Sequence, residues 1–282
     1  MTDLRDYDLY ACDIPTAQLE ASEFQRKYIN KIKAYKRHII FARILILAAF
    51  LFLWEYAVSV KWIDAFFFSS PSRIVGCFLS MAKDFTIFRH IGITLFETIA
   101  SFLLVILISL LVTIVLWYFK KLSEIVEPFL VVLNSLPKSA LAPLFIVWLG
   151  SGIPTIIVAG ISVAIFGSII NLYTGFHQVD EEKIKLIHTL GGNKWHVLTK
   201  VVIPSNLPTI LSNMKVNIGL SLVGVVIGEF IGARKGLGYL IIYGSQVFKL
   251  DWVIMSIVIL CLVAVSLYQG ITLIEKWYKK NI

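Results

Sequence analysis

The chain has 282 residues, of which 58% are hydrophobic and only 16% are charged, and its mean hydropathy is +0.81. These values exclude an ordinary soluble domain and predict an all-α polytopic membrane protein in a lipid bilayer. The formal net charge of +8 implies no nucleic acid, because a basic cytoplasmic face beside anionic lipid accounts for it.

Residues 1–38 form a polar, basic N-terminal segment. No short hydrophobic region with a small-residue cleavage site follows the initiator Met, so we expect no cleaved signal. Apolar residues recur at helical spacing among the lysines and arginines: Phe24, Tyr28, Ile32, Tyr35 and Ile39. This pattern predicts a cytoplasmic interfacial helix, and a disordered basic arm is the alternative.

Apolar runs long enough to cross a bilayer follow this segment. They lie at about 39–58, 91–119, 125–149, 153–173, 207–231 and 252–274. We therefore predict about six transmembrane helices, the first over 39–60. The runs at 153–173 and 252–274 contain no charged residue, which makes them the firmest of the six.

The distribution of Lys and Arg predicts the orientation, because positive charge stays on the cytoplasmic side during insertion. With the N-terminus inside, 17 of the 26 basic residues fall on the cytoplasmic side and 7 on the outer side. We therefore expect both termini in the cytoplasm of a multi-pass protein of the bacterial cell membrane.

The third apolar run is interrupted by prolines at 128, 137 and 143 and contains Asn134, Ser135 and Lys138. Non-helical backbone at membrane depth is tolerated where it packs against protein or borders a water-filled cavity. The pattern predicts that 134–142 lies on the inside of the structure and borders a translocation path. The alternative is a kinked span whose Lys138 reaches an interface.

Small residues recur along the fourth and fifth runs. Gly160, Ala164 and Ser168 share one helical face, as do Asn217, Ser221, Gly224 and Gly228. We expect the glycines to allow close helix packing, whereas Asn217 and Ser221 are better candidates for the lining of the translocation path.

Three charged residues lie at or within apolar runs: Glu97, Lys215 and Glu229. Each is a functional candidate, because burying a charge in the membrane costs several kcal/mol unless the charge is paired or hydrated. We assign Glu229 to the path. For Glu97, simple placement at an interface is the preferred interpretation.

Cys12, Cys77 and Cys261 are scattered and lack metal-ligand spacing, so we expect neither a disulfide framework nor a metal site. No segment fits a phosphate-binding loop, a nucleophile elbow or a zinc-protease helix. We therefore expect that the chain binds no ATP and is no enzyme.

The longest cytoplasmic loop, about 172–206, predicts a short helix, a turn and a second helix. Asp180, Glu181 and Glu182 suit a helix N-terminus, and Gly191-Gly192 supplies a permissive C-terminal turn.

This loop resembles that of the binding-protein-dependent permease family of ABC transporters, whose pattern is Glu-Ala-Ala, three residues, Gly, nine residues, Ile-x-Leu-Pro. Gly191 and Ile203-Pro204 fall at matching spacing. The resemblance covers roughly residues 66–280, and within the family the sequence is similar to the nitrate, sulfonate and taurine branch. It includes Pro71-Ser72, Leu141-Ala142-Pro143-Leu144, Trp148-Leu149-Gly150, Gly228-Glu229-Phe230-Ile231-Gly232-Ala233 and Gly236-Leu237-Gly238-Tyr239-Leu240.

The resemblance implies a permease of the type I ABC importer class, whose loop forms a coupling helix seated in a groove of a separate ATPase subunit. The coupling residues it implies are Lys185, His188, Thr189, Leu190, Gly191, Gly192 and Trp195. One departure is Lys185-Leu186-Ile187 at the Glu-Ala-Ala position. An ordinary amphipathic face is the alternative for His188 and Trp195.

The same resemblance implies the partners. The expected partners are ABC ATPase subunits, an extracytoplasmic solute-binding protein and a second permease copy. No cofactor is expected, since ATP is bound by the partner. Lys138 favours a small anion such as a sulfonate, taurine or nitrate; a vitamin precursor or another heterocycle is the alternative. A membrane-embedded enzyme and a passive channel remain open as other classes.

Overall fold

The computed structural model describes residues 23–280, with side chains from Tyr28 to Lys279. In chain order the helices are α1 (Glu23–Ser59), α2 (Ala65–Phe68), α3 (Pro71–Lys83), α4 (Thr86–Tyr118), α5 (Lys120–Ser135), α6 (Lys138–Leu149), α7 (Ile153–His177), α8 (Glu181–Thr189), α9 (Lys194–Val197), a π-helical turn (Leu198–Val202), α10 (Ile203–Ser205), α11 (Leu207–Gly232), α12 (Leu237–Gln246) and α13 (Leu250–Lys280).

The chain divides between Tyr56 and Ala57 into two compact units. In the first unit, α1 is helical from Glu23 and runs without a break into the predicted first span. The part of the basic segment that is described is therefore helix and not an irregular arm. Its position at an interface stays a prediction, and residues 1–22, with Cys12, lie outside the described residues.

The centre of the second unit is formed by α4, α7 and α11. Gly224 of α11 lies so close to α7 that a Cβ there would be 2.8 Å from the Ala159 carbonyl oxygen and 2.8 Å from Gly160 Cα. A Cβ at Gly160 would in turn lie 2.5 Å from Ser101 Oγ of α4. The packing function predicted for these glycines is confirmed, because only residues without a side chain allow helices this close.

Outside this centre, α13 packs against α3 and α12. An ion pair of 2.9 Å joins Arg73 of α3 to Asp251 of α13, and the Ser69 hydroxyl donates to the same carboxylate over 2.6 Å. Helices α3 and α12 were not among the predicted elements, since they are too short and too mixed in polarity to appear as membrane-spanning runs.

Among the described residues, five helices are long and apolar enough to cross a membrane: α1, α4, α7, α11 and α13. The predicted third span is not one helix. Its two halves, α5 and α6, meet at 96° because Leu136 and Pro137 adopt extended backbone and Pro137 has no N–H to donate. Counting the bent pair as one span gives six, and the predicted all-α fold with about six membrane helices is confirmed.

The interpretation of Glu97 as an interfacial residue is wrong. Helix α4 begins at Thr86, five residues before the apolar run, so Glu97 lies three turns inside the helix. Its side chain is 1% exposed.

Candidate functional site: the loop after α7 and the buried polar groups of the bundle

The loop between α7 and α11 contains the helix–turn–helix that the sequence predicts. Asp180 caps α8 by accepting a 2.9 Å hydrogen bond from the Glu182 amide, and acidic residues occupy the first turn. The helix ends where Gly191 adopts a φ of +78° and the Gly192 amide donates to the Ile187 carbonyl over 2.8 Å. The predicted glycine turn is confirmed.

One face of α8 packs onto the helix bundle. Ile184 and Ile187 lie against a buried cluster formed by Phe176 of α7 and by Val197, Leu198 and Val202. The partly buried residues around this cluster come from α4 and α11 as well, among them Ile114, Trp117 and Ile210. The loop is therefore fixed to three long helices at once.

The opposite face of α8 and the adjoining α9 carry exposed apolar side chains. Leu186 is 58% exposed, Leu190 75% and Trp195 57%. Such large exposed apolar side chains on two short helices are typical of a protein interaction surface. We call Leu186, Leu190 and Trp195 the exposed loop face.

The other predicted coupling residues surround this face and make local contacts. Lys185 forms an exposed ion pair with Glu181 at 3.5 Å. His188 Nδ1 lies 3.1 Å from the Gly192 carbonyl oxygen, and the Thr189 hydroxyl donates to the Leu186 carbonyl over 2.8 Å. Six of the seven predicted residues thus lie on α8 and its turn, whereas Trp195 lies on the adjoining α9, and their role in coupling stays a prediction.

Lys194, which the sequence reading did not single out, attaches the loop to the end of α4. Its ammonium group donates to the Tyr118 carbonyl oxygen and lies 4.9 Å from the Tyr118 ring centroid and 5.6 Å from that of Trp117. A cation at a helix C-terminus and over aromatic rings is stabilised by both. No sequence signal marks it, because its partners are 76 residues away.

Three of the residues predicted for the translocation path, Asn134, Ser135 and Lys138, lie at the break between α5 and α6. The Lys138 ammonium donates to the Asn134 carbonyl oxygen, and the Ser135 hydroxyl donates to the Val131 carbonyl over 2.9 Å. In the single chain, 134–137 is exposed and Ala142 is the only buried residue of 134–142. The predicted inside position therefore does not hold within one chain.

Asn217 and Ser221 lie in the interior between α4, α7 and α11. Asn217 and Asn213 each donate an amide hydrogen bond to the Ser168 hydroxyl, over 2.8 and 2.7 Å, and Ser168 donates to Ser109 over 2.9 Å. Asn217 is 1% and Ser221 0% exposed. These contacts join three helices, and a role in the path stays a prediction.

Glu229 is 1% exposed and holds the turn that follows α11. It accepts hydrogen bonds from the Thr94 hydroxyl over 2.7 Å and from the Gly238 amide over 2.5 Å. Thr94 also accepts a 2.9 Å hydrogen bond from the Leu237 amide. One carboxylate and one hydroxyl thereby satisfy amides in the first turn of α12.

Residues 105–280, more than half of the chain, match the family described as binding-protein-dependent transport system inner membrane component. The chain belongs to this family. It is thus a transport component of the inner membrane, which confirms the resemblance stated above, and the loop after α7 is the segment in which the family pattern lies.

Named relatives agree with this assignment. The permease is 26% identical over 250 residues to the putative aliphatic sulfonates transport permease protein SsuC of Bacillus subtilis, covering 88% of this chain and 90% of that one. It is 26% identical over 234 residues to the formylaminopyrimidine transport permease protein ThiX of Halalkalibacterium halodurans, covering 81% and 92%. It is 24% identical over 236 residues to the taurine transport system permease protein TauC of Escherichia coli, covering 82% and 86%.

The fold resembles that of a solved ABC importer. A chain from inward-facing conformations of the MetNI methionine ABC transporter superposes with a TM-score of 0.61 at 20% identity, covering 67% of the permease and 94% of that chain. The permease therefore has the predicted type I importer fold.

The sequence singles out Lys215 but not Glu275, its partner in an ion pair. Lys215 of α11 forms an ion pair with Glu275 of α13, and Lys279 binds the same carboxylate at 2.9 Å. Glu275 lies just beyond the last apolar run, where it reads as an ordinary surface charge. Within the described residues, no group of three potential metal ligands occurs.

Proposed function

We propose that the permease forms the solute path of an ATP-driven importer and couples to a separate ATPase subunit through the exposed loop face. The observation that carries this proposal is the two-sided structure of α8. Ile184 and Ile187 pack on the buried cluster around Phe176 of α7, against which residues of α4 and α11 also pack, while Leu190 and Trp195 of the adjoining α9 remain exposed. A partner bound to the exposed side can therefore displace all three helices.

The proposed role of the other coupling residues follows from their positions. Lys185, His188 and Thr189 border the exposed loop face, and Gly191-Gly192 turns the chain directly after Leu190, so that α8 ends there. In this permease Lys185-Leu186-Ile187 replaces the small, acidic family pattern. A cognate ATPase groove would then offer an acidic group to Lys185 and an apolar pocket to Leu186.

We infer that a second copy of the permease covers the bent pair. The break at Leu136–Pro137 lies in a segment of membrane-spanning composition and is exposed in the single chain. Non-helical backbone cannot face lipid without loss of hydrogen bonds, so protein or a water-filled path must lie against it. Asn134, Ser135 and Lys138 would then border the path between two copies.

The proposed mechanism is alternating access driven by the partner. ATP binding closes the ATPase pair, the loops move with it, and the path opens toward a solute-binding protein outside the cell; hydrolysis resets the assembly. The permease itself needs no cofactor. Asn217, Ser221 and Glu229 would reach the path only in a state in which α4 separates from the joined pair α7 and α11.

The proposed orientation has both termini in the cytoplasm, as the distribution of basic residues indicates. This places α8 and α9 on the side where ATP is available.

For the solute we propose a small anion, a sulfonate or a related oxyanion. Lys138 supplies a positive charge beside the exposed break, and two of the relatives are named for sulfonates and taurine. A heterocyclic vitamin precursor is the second candidate, since another relative is named for formylaminopyrimidine.

Co-purification tests the coupling proposal. Wild-type permease extracted in mild detergent should carry an ATPase subunit, and Trp195→Ala should reduce the amount bound about tenfold or more, as expected when an interface aromatic is truncated. The matched control is Trp277→Ala, which removes a similarly exposed indole from the last helix. Equal loss in both variants, or no ATPase with wild type, contradicts the proposal.

Uptake by whole cells tests the path. Lys138→Met should abolish accumulation of the anion while the assembled complex remains intact, and Lys121→Met, at the start of α5, should not. Unchanged uptake by Lys138→Met would remove this residue from the path. Uptake of a heterocycle but not of sulfonates would favour the second candidate.

A further inference from the structure

A second carboxyl group lies buried beside Glu229. Glu97 of α4 is 1% exposed, and both of its carboxyl oxygens are buried without a hydrogen-bond donor from the described part of the chain. Glu97 lies one turn after Thr94 on α4, and because Thr94 donates to Glu229 over 2.7 Å, the two buried carboxyl groups occupy the same part of the interface between α4 and α11. An ionised carboxylate at this buried position would lose its hydration without gaining a hydrogen bond or an ion pair, which is unfavourable.

The two carboxyl groups differ in their partners. Glu229 accepts from the Thr94 hydroxyl and from the Gly238 amide, which are donors that favour an ionised carboxylate. Glu97 has no such donor, and a carboxyl group that only faces another carboxylate satisfies both if it is protonated and donates.

Within the part of the chain that the structure describes, no Lys or Arg forms an ion pair with Glu97 or Glu229. From α4, His90 Nδ1 lies 2.9 Å from the Gly236 amide nitrogen and 3.0 Å from the Gly236 carbonyl oxygen, so this atom bonds to the backbone of the turn and to neither carboxyl group; the adjacent Arg89 is exposed. From α12, the Tyr239 ring stacks on His90 at 6.2 Å. Arg234 and Lys235 of the intervening turn are exposed.

Helix α7 contributes Ile156 and Ala159 beside Gly228, and α6 contributes Ile146 beside Gly232; none of these side chains can ionise. In the described residues neither Glu97 nor Glu229 forms an ion pair. Two adjacent carboxylates cannot both be ionised in such surroundings.

We propose that Glu97 and Glu229 form a proton-binding site that holds one proton between α4 and α11. Glu97 is the neutral acid and donates its proton in a hydrogen bond to Glu229. Glu229 carries the negative charge and anchors the first turn of α12. The site is independent of the coupling proposal, because it needs neither ATP nor a partner.

Infrared spectroscopy of the purified full-length permease tests the assignment at neutral pH. Wild type should show the C=O band of a protonated, non-exchanging carboxylic acid, and Glu97→Gln should lose that band. Glu124→Gln, which changes an exposed glutamate of α5, should retain it. Absence of the band in wild type, or its survival in Glu97→Gln, overturns the proposal.

Thermal unfolding tests the division of roles. Glu97→Gln should keep a melting temperature near that of Glu124→Gln, because a carboxamide also donates to Glu229. Glu229→Gln should lower it, because the acceptor for the Gly238 amide and the Thr94 hydroxyl loses its charge. The reverse order would mean that Glu229 is the protonated partner and would overturn the assignment.

A pH titration of wild type keeps the proposal testable if Glu229→Gln does not fold. Raising the pH should remove the infrared band and lower the melting temperature together, since two adjacent charges then repel. In Glu97→Gln the alkaline fall in melting temperature should shift to higher pH. If wild type and Glu97→Gln lose stability at the same alkaline pH, no shared proton exists.

Discussion

The loop after α7 and the turn after α11 both depend on a glycine with positive φ, yet their surroundings differ. Gly191, at a φ of +78°, has open space where a Cβ would stand. At Gly236, with a φ of +115°, a Cβ would collide with the Glu229 carboxyl group. The first glycine shapes a surface that a partner can reach, whereas the second allows buried groups to meet.

The comparison predicts its largest effect at Gly236. In Gly236→Ala, backbone strain costs about 1–3 kcal/mol and overpacking about 1–3 kcal/mol more, so the free energy of unfolding should fall by several kcal/mol. Thermal unfolding of the purified permease in detergent measures this. Gly219→Ala is the control, because it adds a methyl group to α11 with nothing within 4 Å and should be neutral or slightly stabilising.

Gly191→Ala should have a smaller effect. Its added methyl group meets open space, so the cost is the left-handed backbone alone, about 1–2 kcal/mol. The same unfolding experiment checks it. A loss as large as that of Gly236→Ala would show that the loop is as tightly packed as the buried turn and would remove the contrast.

Lys194→Met should cost about 1 kcal/mol or less, since a surface cation over aromatic rings and at a helix end contributes about that much. Lys194→Arg should restore most of the loss, because a guanidinium also stacks on Trp117 and Tyr118. Hydrogen exchange of α8 and α9 measures the attachment, and exposed Lys200→Met is the matched control. Faster exchange in both methionine variants alike would exclude a specific contact.

Lys185→Met should have the smallest effect on stability. The Lys185–Glu181 pair is exposed, with side chains 73% and 84% accessible, and such pairs contribute less than about 1 kcal/mol. The melting temperature should therefore stay that of wild type, while ATPase co-purification should fall if Lys185 docks. A clear drop in melting temperature would assign it a structural role instead.

The sequence predicted the loop better than the buried turn for a physical reason. The cap at Asp180 and the turn at Gly191 are local signals, set by residues a few positions apart. The site around Glu229 joins residues up to 143 positions apart, and no local pattern reports such contacts. Glu97 was misassigned for this reason, because the limit of an apolar run does not mark the limit of a helix.

The bent pair falls between these cases. Pro137 correctly predicts a break, since a residue without an N–H cannot continue the helix. The angle of 96° and the exposure of Asn134 and Ser135 depend on how α6 packs against α7 and α11, which no spacing along the chain reveals. Lys215 likewise reads as an isolated charge until Glu275 is brought beside it.

The close approach of Gly224 to α7 limits how the permease can change shape. Turning α11 about its own axis would bring the side chain of Val223 or Val225 against the Ala159 carbonyl, so the two helices cannot rotate independently. The loop that joins their ends is therefore attached to a single rigid block. Any force on that loop displaces both helices together, and the freedom needed for opening must reside at the edges of the block.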